Sequence, residues 1–255
     1  MKCSKILLAF LIAAAMLFIT GCQDQYIEGQ VVRGGYTWLR SGSELTDDGL
    51  RFSVDELSHL VIDTIHNSVT IGTHNGSDIL IEYIPDTPGS GRYYHHVIRP
   101  RYEFSGDHLE IFRDVSLQSN TFIRSGSINI LVPVYDGQLL DSVSISTTLG
   151  DVRAGNFNAN SIRINTRNRD VRLTNVNANT AIVNTSLGGI VVINVDIENN
   201  LTLQTESRSI DISNARIGGI LSATTSREDI TITNVETNFD NANLSTSENS
   251  NIIIN

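Results

Sequence analysis

The sequence predicts an all-β protein, a parallel β-solenoid of rungs of about twenty residues behind an irregular N-terminal cap, and three observations predict it. A threonine recurs at Thr147, Thr166, Thr185, Thr205, Thr225 and Thr246, at intervals of 19, 19, 20, 20 and 21 residues. Five residues after each of the first five stands a β-branched aliphatic residue, Val152, Val171, Ile190, Ile210 and Ile230, and the sixth copy reaches Ile252 one residue late. An asparagine then follows in every complete copy, at Asn156, Asn175, Asn194, Asn214 and Asn234. A register held at three independent positions marks stacked supersecondary units.

Residues 1–21 read as an export signal. Lys2 and Lys5 give a positive end, Ile6 to Phe18 form an apolar run too short to cross a bilayer, and Ile19-Thr20-Gly21-Cys22 close it. The segment resembles a bacterial lipoprotein signal with the lipobox ITGC, which implies cleavage before Cys22 and acylation of its thiol and new amino group. Two or more acyl chains anchor stably where one does not. Gln23, rather than Asp, follows the cysteine, which under enteric-type sorting permits passage to an outer membrane. With Cys3 in the leader and Cys22 acylated, no disulfide is available, so stability falls to the solenoid.

From 22 to 56 the chain is polar and glycine-rich, with RGG, RSGS and TDDG, and reads as a tether leading into a cap on which Trp38 and Leu39 dock. The solenoid domain is expected over 57–255, with regular rungs over 143–255. Strand signals begin in the stretch Leu57 to Ile84, where Thr64 precedes Val69 by the same five residues seen later, as in an early, divergent rung. Pro85, Pro88, Gly89 and Gly91 then dictate a loop, and strands resume at Tyr102–Phe104, His108–Phe112 and Ser127–Val134. Pro133 is the last proline, which suits a ladder that must run unbroken after it.

Within each regular copy the alternation has period two, so two strands per copy each offer one apolar face. Val143, Ile145, Ile162, Ile164, Leu201, Leu203 and Leu221 point inward on one strand, and Val152, Ala154, Val171, Leu173, Ile190, Val192, Ile210, Ile212, Ile230 and Ile232 on the other. One copy cannot bury its own face, so copies stack as rungs and pair in parallel, right-handed by the crossover rule. The in-register asparagines suit an amide ladder at one corner, or simply a residue tolerant of turns, and the threonines suit a second stack at the opposite corner.

The run INILVPVYDGQLLDSVSISTTLGDV leading into IRINTRNRDVRLTNV-type units, with TIHNSVTI and DILIEY before it, resembles the bacterial putative-adhesin family of β-strand-repeat proteins, a family of unknown molecular function. The resemblance covers about residues 57–255. It implies a surface-exposed, often lipid-anchored protein, and the family offers no catalytic residues to carry over. The usual Gly-Asp turn is replaced at Arg169-Asp170, Gly188-Gly189 and Arg208-Ser209.

The same residues offer few candidates for chemistry. Asp151 and Asp170 occupy equivalent positions about 4.8 Å apart, near the separation of a retaining glycosidase pair, yet aspartate is also a favoured turn residue and Arg153, Arg169 and Arg172 lie close. The six histidines all precede Leu109, and His95 and His96 are adjacent without a spaced partner, so no metal centre is expected. A net charge of −10, or −12 once Lys2 and Lys5 leave with the leader, argues against nucleic acid as a partner. Outward Ser146, Asn165, Asn184, Gln204, Thr224 and Ser245 form a polar column suited to a glycan or protein ligand, or to solvent, and Arg163, Arg167, Arg169 and Arg172 gather in one rung.

The final Ile252-Ile253-Ile254 suggests an uncovered strand edge and self-association there. These residues are read as a lipid-anchored cell-envelope protein, in the cell membrane or outer membrane, that presents its solenoid for adhesion or protein interaction and needs no cofactor or metal. A carbohydrate-active enzyme on the same scaffold and an envelope-stress accessory protein binding a membrane regulator are the alternatives.

Overall fold

The computed structural model describes residues 25–27, 30–33, 36–37, 43–45, 49–85, 100–112, 126–134, 140–247 and 249–255. Residues 1–21, read above as an export signal, and Cys22, Trp38, Leu39, His95 and His96 lie outside the described residues. Two units are present, residues 1–41 and 42–255. In the first, Gln25–Ile27, Gln30–Arg33 and Tyr36–Thr37 form a small antiparallel sheet, within the stretch 22–56 read above as a tether leading into a cap.

The second unit is a parallel β-solenoid of about six turns. Pairing partners lie one repeat apart: Val152 faces Val171, Val171 faces Ile190, Ile190 faces Ile210, and Ile210 faces Ile230. The sheet therefore winds upward, with rungs about 4.8 Å apart. Each regular rung has three faces, not two. In the strand Val152–Thr166 the first face is Val152 to Gly155, the middle face Phe157 to Ala159, and the third face Ile162 to Thr166.

The middle face is the correction to the two-strand rung. Phe157 and Ala159 stack under Val176 and Ala178, and Ala178 under Ile197 and Ile217, all buried. Its inward pairs are separated from the first face by three residues instead of two, so a period-two count started at Val152 places Asn156 inside and Phe157 outside. The structure reverses both: Asn156 is exposed and Phe157 is buried.

Inward columns run the height of the solenoid. On the third face Leu109, Leu60, Val143, Ile162, Ala181, Leu201 and Leu221 follow one another in register. On the first face the order is Ile128, Val69, Val152, Val171, Ile190, Ile210, Ile230 and Ile252.

Those columns show that chain order and stacking order differ in the N-terminal half. The rung made by His59–Asp63 and Ser68–His74 carries the regular rungs on one side, and on the other the later strands His108–Phe112 and Gly126–Pro133. The early rung at Thr64 and Val69 is thus real but not terminal. Ser68–His74 and Asp78–Pro85 run in opposite directions, and Gly126–Pro133 lies between them, paired with each. Beyond them the cap is antiparallel: Leu50–Ser53 pairs with Asp78–Pro85, Arg101–Ser105 with His108–Phe112, and Ser43–Glu44 with Arg101–Ser105. Leu45 and Phe52 seal the core from this end. Pro133 ends its strand against His74, where a missing N–H disturbs the ladder least.

The core is aliphatic filling whose cohesion should be measurable side by side with the outer surface. Leu203→Ala, at a buried position between Val183 and Ala223, is expected to cost about 2–5 kcal/mol in chemical denaturation. Its outward neighbour Thr202→Ala is expected to stay within about 0.5 kcal/mol of the parent.

Candidate functional surface

The corner between the first and middle faces is built by asparagine. Asn156, Asn175, Asn194, Asn214 and Asn234 all have φ between 52° and 58°, the left-handed region that asparagine enters more easily than other residues bearing a side chain. That conformation turns the chain and shifts the inward phase by one residue. The side chains also bond vertically: Asn175 Nδ2 donates to Asn156 Oδ1 at 2.7 Å, Asn194 to Asn175 at 3.1 Å, and Asn234 to Asn214 at 2.7 Å. Among the described residues no amide bond joins Asn194 to Asn214, the step at which the interval lengthens from 19 to 20.

The opposite corner is organised by threonine. Thr147, Thr166, Thr185, Thr205 and Thr225 are buried at the end of the third face, but their hydroxyls serve mainly the adjoining turns. Thr166 donates to Arg169 O at 2.7 Å, Thr205 to Gly188 O at 2.8 Å and Thr225 to Arg208 O at 2.8 Å, while Gly150 and Gly188 N–H groups donate to Thr147 and Thr185. One direct hydroxyl pair is seen, Thr166 to Thr185 at 2.9 Å. The turns pack so closely that a Cβ on Gly150 would lie 1.8 Å from Asn67 O, and one on Gly188 1.9 Å from Arg169 O.

Asp151 and Asp170 sit beside this corner with occupations of their own. Asp170 Oδ1 accepts the Gly189 N–H at 2.8 Å, and Asp151 Oδ2 lies 3.5 Å from Arg153. Together with Arg153, Arg172, Arg208 and Glu228 they line an open groove of about 320 Å³ on the first face. Arg153 stands directly opposite Arg172 on the neighbouring rung. Arg163 projects from the third face, and Arg167 and Arg169 from the turn between them, so the basic cluster expected from the sequence wraps a corner.

The expected polar column is present in register: Ser146, Asn165, Asn184, Gln204, Thr224 and Ser245, with Asn184 donating to Asn165 at 3.0 Å. A second polar tract, not singled out in the sequence, lies on the middle face. Asn158, Asn177, Asp196, Arg216 and Glu236 succeed one another there. Asn177 donates to Asn158 at 3.0 Å, Asn179 bonds to Asn160, and Arg216 grips Asp196 Oδ2 through two nitrogens, Nε at 3.0 Å. The hydrogen bond to that carboxylate raises the Arg216 pKa above its ordinary value. The four asparagines, Asp196 and Arg216 line, together with Glu198, a groove of about 270 Å³. Among the described residues no group of three or more His, Cys, Asp or Glu is placed to hold a metal ion.

A family model described as Toastrack DUF4097 matches residues 57–252. The chain belongs to that family. Solved structures similar to this Toastrack chain include a "putative cell adhesion protein" from Clostridium sporogenes, with 11% identity over 81% of this chain and 98% of that one and a TM-score of 0.31. Another is a "putative adhesin" from Bacteroides fragilis, with 14% identity over 81% of this chain and 96% of that one, also at a TM-score of 0.31. No curated protein matches the chain.

The Toastrack match covers every corner asparagine and threonine described above, and the two roles of the asparagines can be separated. Asn175→Ala loses both ladder bonds and meets the left-handed backbone penalty of about 1–2 kcal/mol. Asn175→Gly loses the bonds and adds an unfolded-chain entropy cost of about 0.5–1 kcal/mol, but meets no left-handed penalty. The alanine variant should therefore melt below the glycine variant, and both below the parent, in calorimetry.

Proposed function

We propose that the protein is a lipid-anchored component of the cell envelope that acts by presenting the outside of its solenoid for adhesion or protein interaction, without catalysis. The observation that carries this reading is the filled interior. Every inward strand position of the regular rungs from Val152 to Ile232 holds Ala, Val, Leu, Ile, Phe or Thr, so any ligand meets the outer faces. Those faces are ladders of backbone hydrogen bonds whose side chains can vary without disturbing the core. A membrane tether supplied by Cys22 would hold such a surface at the envelope, in the cell membrane or outer membrane.

The enzymatic alternative gains little from the first-face groove. Asp170 is engaged by a backbone amide that shapes the next turn and Asp151 by Arg153, the contacts expected of turn aspartates.

Two measurements test the proposal. Cys22→Ser should abolish incorporation of labelled palmitate and move the protein from the membrane to the soluble fraction of expressing cells; retention in the membrane fraction would remove the anchor from the reading. Wild-type protein and Asp151→Asn/Asp170→Asn should be equally silent in a reducing-end assay on envelope polysaccharide. Release of new ends by the wild type, lost in the double variant, would make it an enzyme.

A further inference from the structure

Charge is distributed unevenly along the solenoid. Residues 142–193 carry five arginines, Arg153, Arg163, Arg167, Arg169 and Arg172, against Asp151 and Asp170, whereas residues 194–255 carry three arginines against nine acidic residues. In a chain of net charge −10 the lower regular rungs are therefore a basic island. Its two aspartates offset two of the five cations, Asp151 lying 3.5 Å from Arg153, and leave a formal excess of three positive charges over residues 142–193. Arg163, Arg167, Arg169 and Arg172 make no ion pair among the described residues. Arg153 and Arg172 face each other one strand spacing apart, about 4.8 Å, an arrangement that is repulsive unless an anion lies between or over them.

We propose that this band is the binding site for an acidic polysaccharide, a glycan chain bearing carboxylate or phosphate groups, laid across the corner between the third and first faces. The inference rests on the surface-presenting function above and names its ligand class.

Three features select that chemistry. Guanidinium groups present a planar fork that takes carboxylate or phosphate oxygens in pairs, and the absence of lysine after Lys5 makes every cation of the island such a fork. Leu149 and Leu187, 37% and 51% exposed, occupy the turns below and above Arg167–Arg169, joined to it by Arg169 Nε to Leu149 O and Leu187 N to Arg167 O. A sugar chain offers oxyanions to the arginines and the apolar faces of its rings to the leucines. The cations also lie on two faces and the turn between them, so a flexible chain can reach all of them, whereas a flat bilayer surface touches one side of a convex corner. The nine acidic residues above repel a polyanion and hold it to the lower rungs.

Calorimetric titration of the purified full chain with hexagalacturonate tests the inference, with neutral maltohexaose and phosphatidylglycerol vesicles as parallel arms. Hexagalacturonate should bind the wild type, more weakly as salt rises, and at least tenfold more weakly to Arg167→Gln/Arg169→Gln/Arg172→Gln, while Arg216→Gln keeps wild-type affinity. Arg163→Gln/Arg172→Gln, which leaves the turn untouched, should also lose affinity. Its melting temperature should equal or exceed the parent's, because a repulsive contact is relieved, and this separates lost binding from lost fold. No binding of hexagalacturonate to the wild type, unchanged binding in both variants, equal binding of maltohexaose, or preference for the vesicles would each overturn the proposal. If hexagalacturonate fails while the Cys22 and Asp151/Asp170 results hold, the ligand class alone falls; if the wild type cleaves hexagalacturonate, the non-catalytic reading falls with it.

Discussion

One constraint governs this molecule: each inward side chain must be covered by the residue one rung along, at the spacing that strand pairing allows. Parallel pairing fixes that spacing, and a slip of one residue would turn the aliphatic set outward. Column identity follows from it. Val152, Val171, Ile190, Ile210 and Ile230 are β-branched because each presses on its own counterpart above and below. Where one column narrows, as at Ala181, its neighbours Ile162 and Leu201 are large, so volume is balanced between rungs.

A rung must also turn corners without losing register, and the two principal corners do so by different means. At the asparagine corner a single left-handed residue shifts the inward phase, and its amide bonds most of the copies vertically. At the threonine corner the chain instead makes a four-residue excursion, tied down by a buried hydroxyl that bonds backbone groups the strands leave unpaired. The five-residue step from threonine to the next inward aliphatic spans the four residues of that excursion. Its two tightest points, Gly150 and Gly188, are on alternate rungs, which is why Gly-Asp and Arg-Asp turns can follow each other.

The repeating rungs were legible because stacking forces the sequence to repeat. The middle face was not, because its strands are two or three residues long and begin one residue out of phase with the alternation before them. Phe157 with Ala159, Val176 with Ala178, and Val195 with Ile197 become visible once the asparagine is read as a phase shift rather than as part of the strand. The order of the first rungs was hidden for another reason. Gly126–Pro133 enters between Ser68–His74 and Asp78–Pro85, a placement that depends on contacts between distant segments and leaves no local pattern. The arginine cluster was visible as a composition, but its wrapping around a corner needed the three-faced rung.

The same constraint separates positions that build from positions free to recognise. A column that serves the scaffold keeps its residue through every rung, as the corner asparagines and buried threonines do. The outward column on the first face runs Arg153, Arg172, Val191, Asp211, Thr231, Ile253, changing charge and shape almost at each step. Neighbouring arginines in it weaken the fold slightly, and the core supplies no reason for them. Residues that no packing demand explains, placed on a surface that packing leaves open, are where the recognition chemistry of this solenoid should be sought, and the basic island is where such residues are most concentrated.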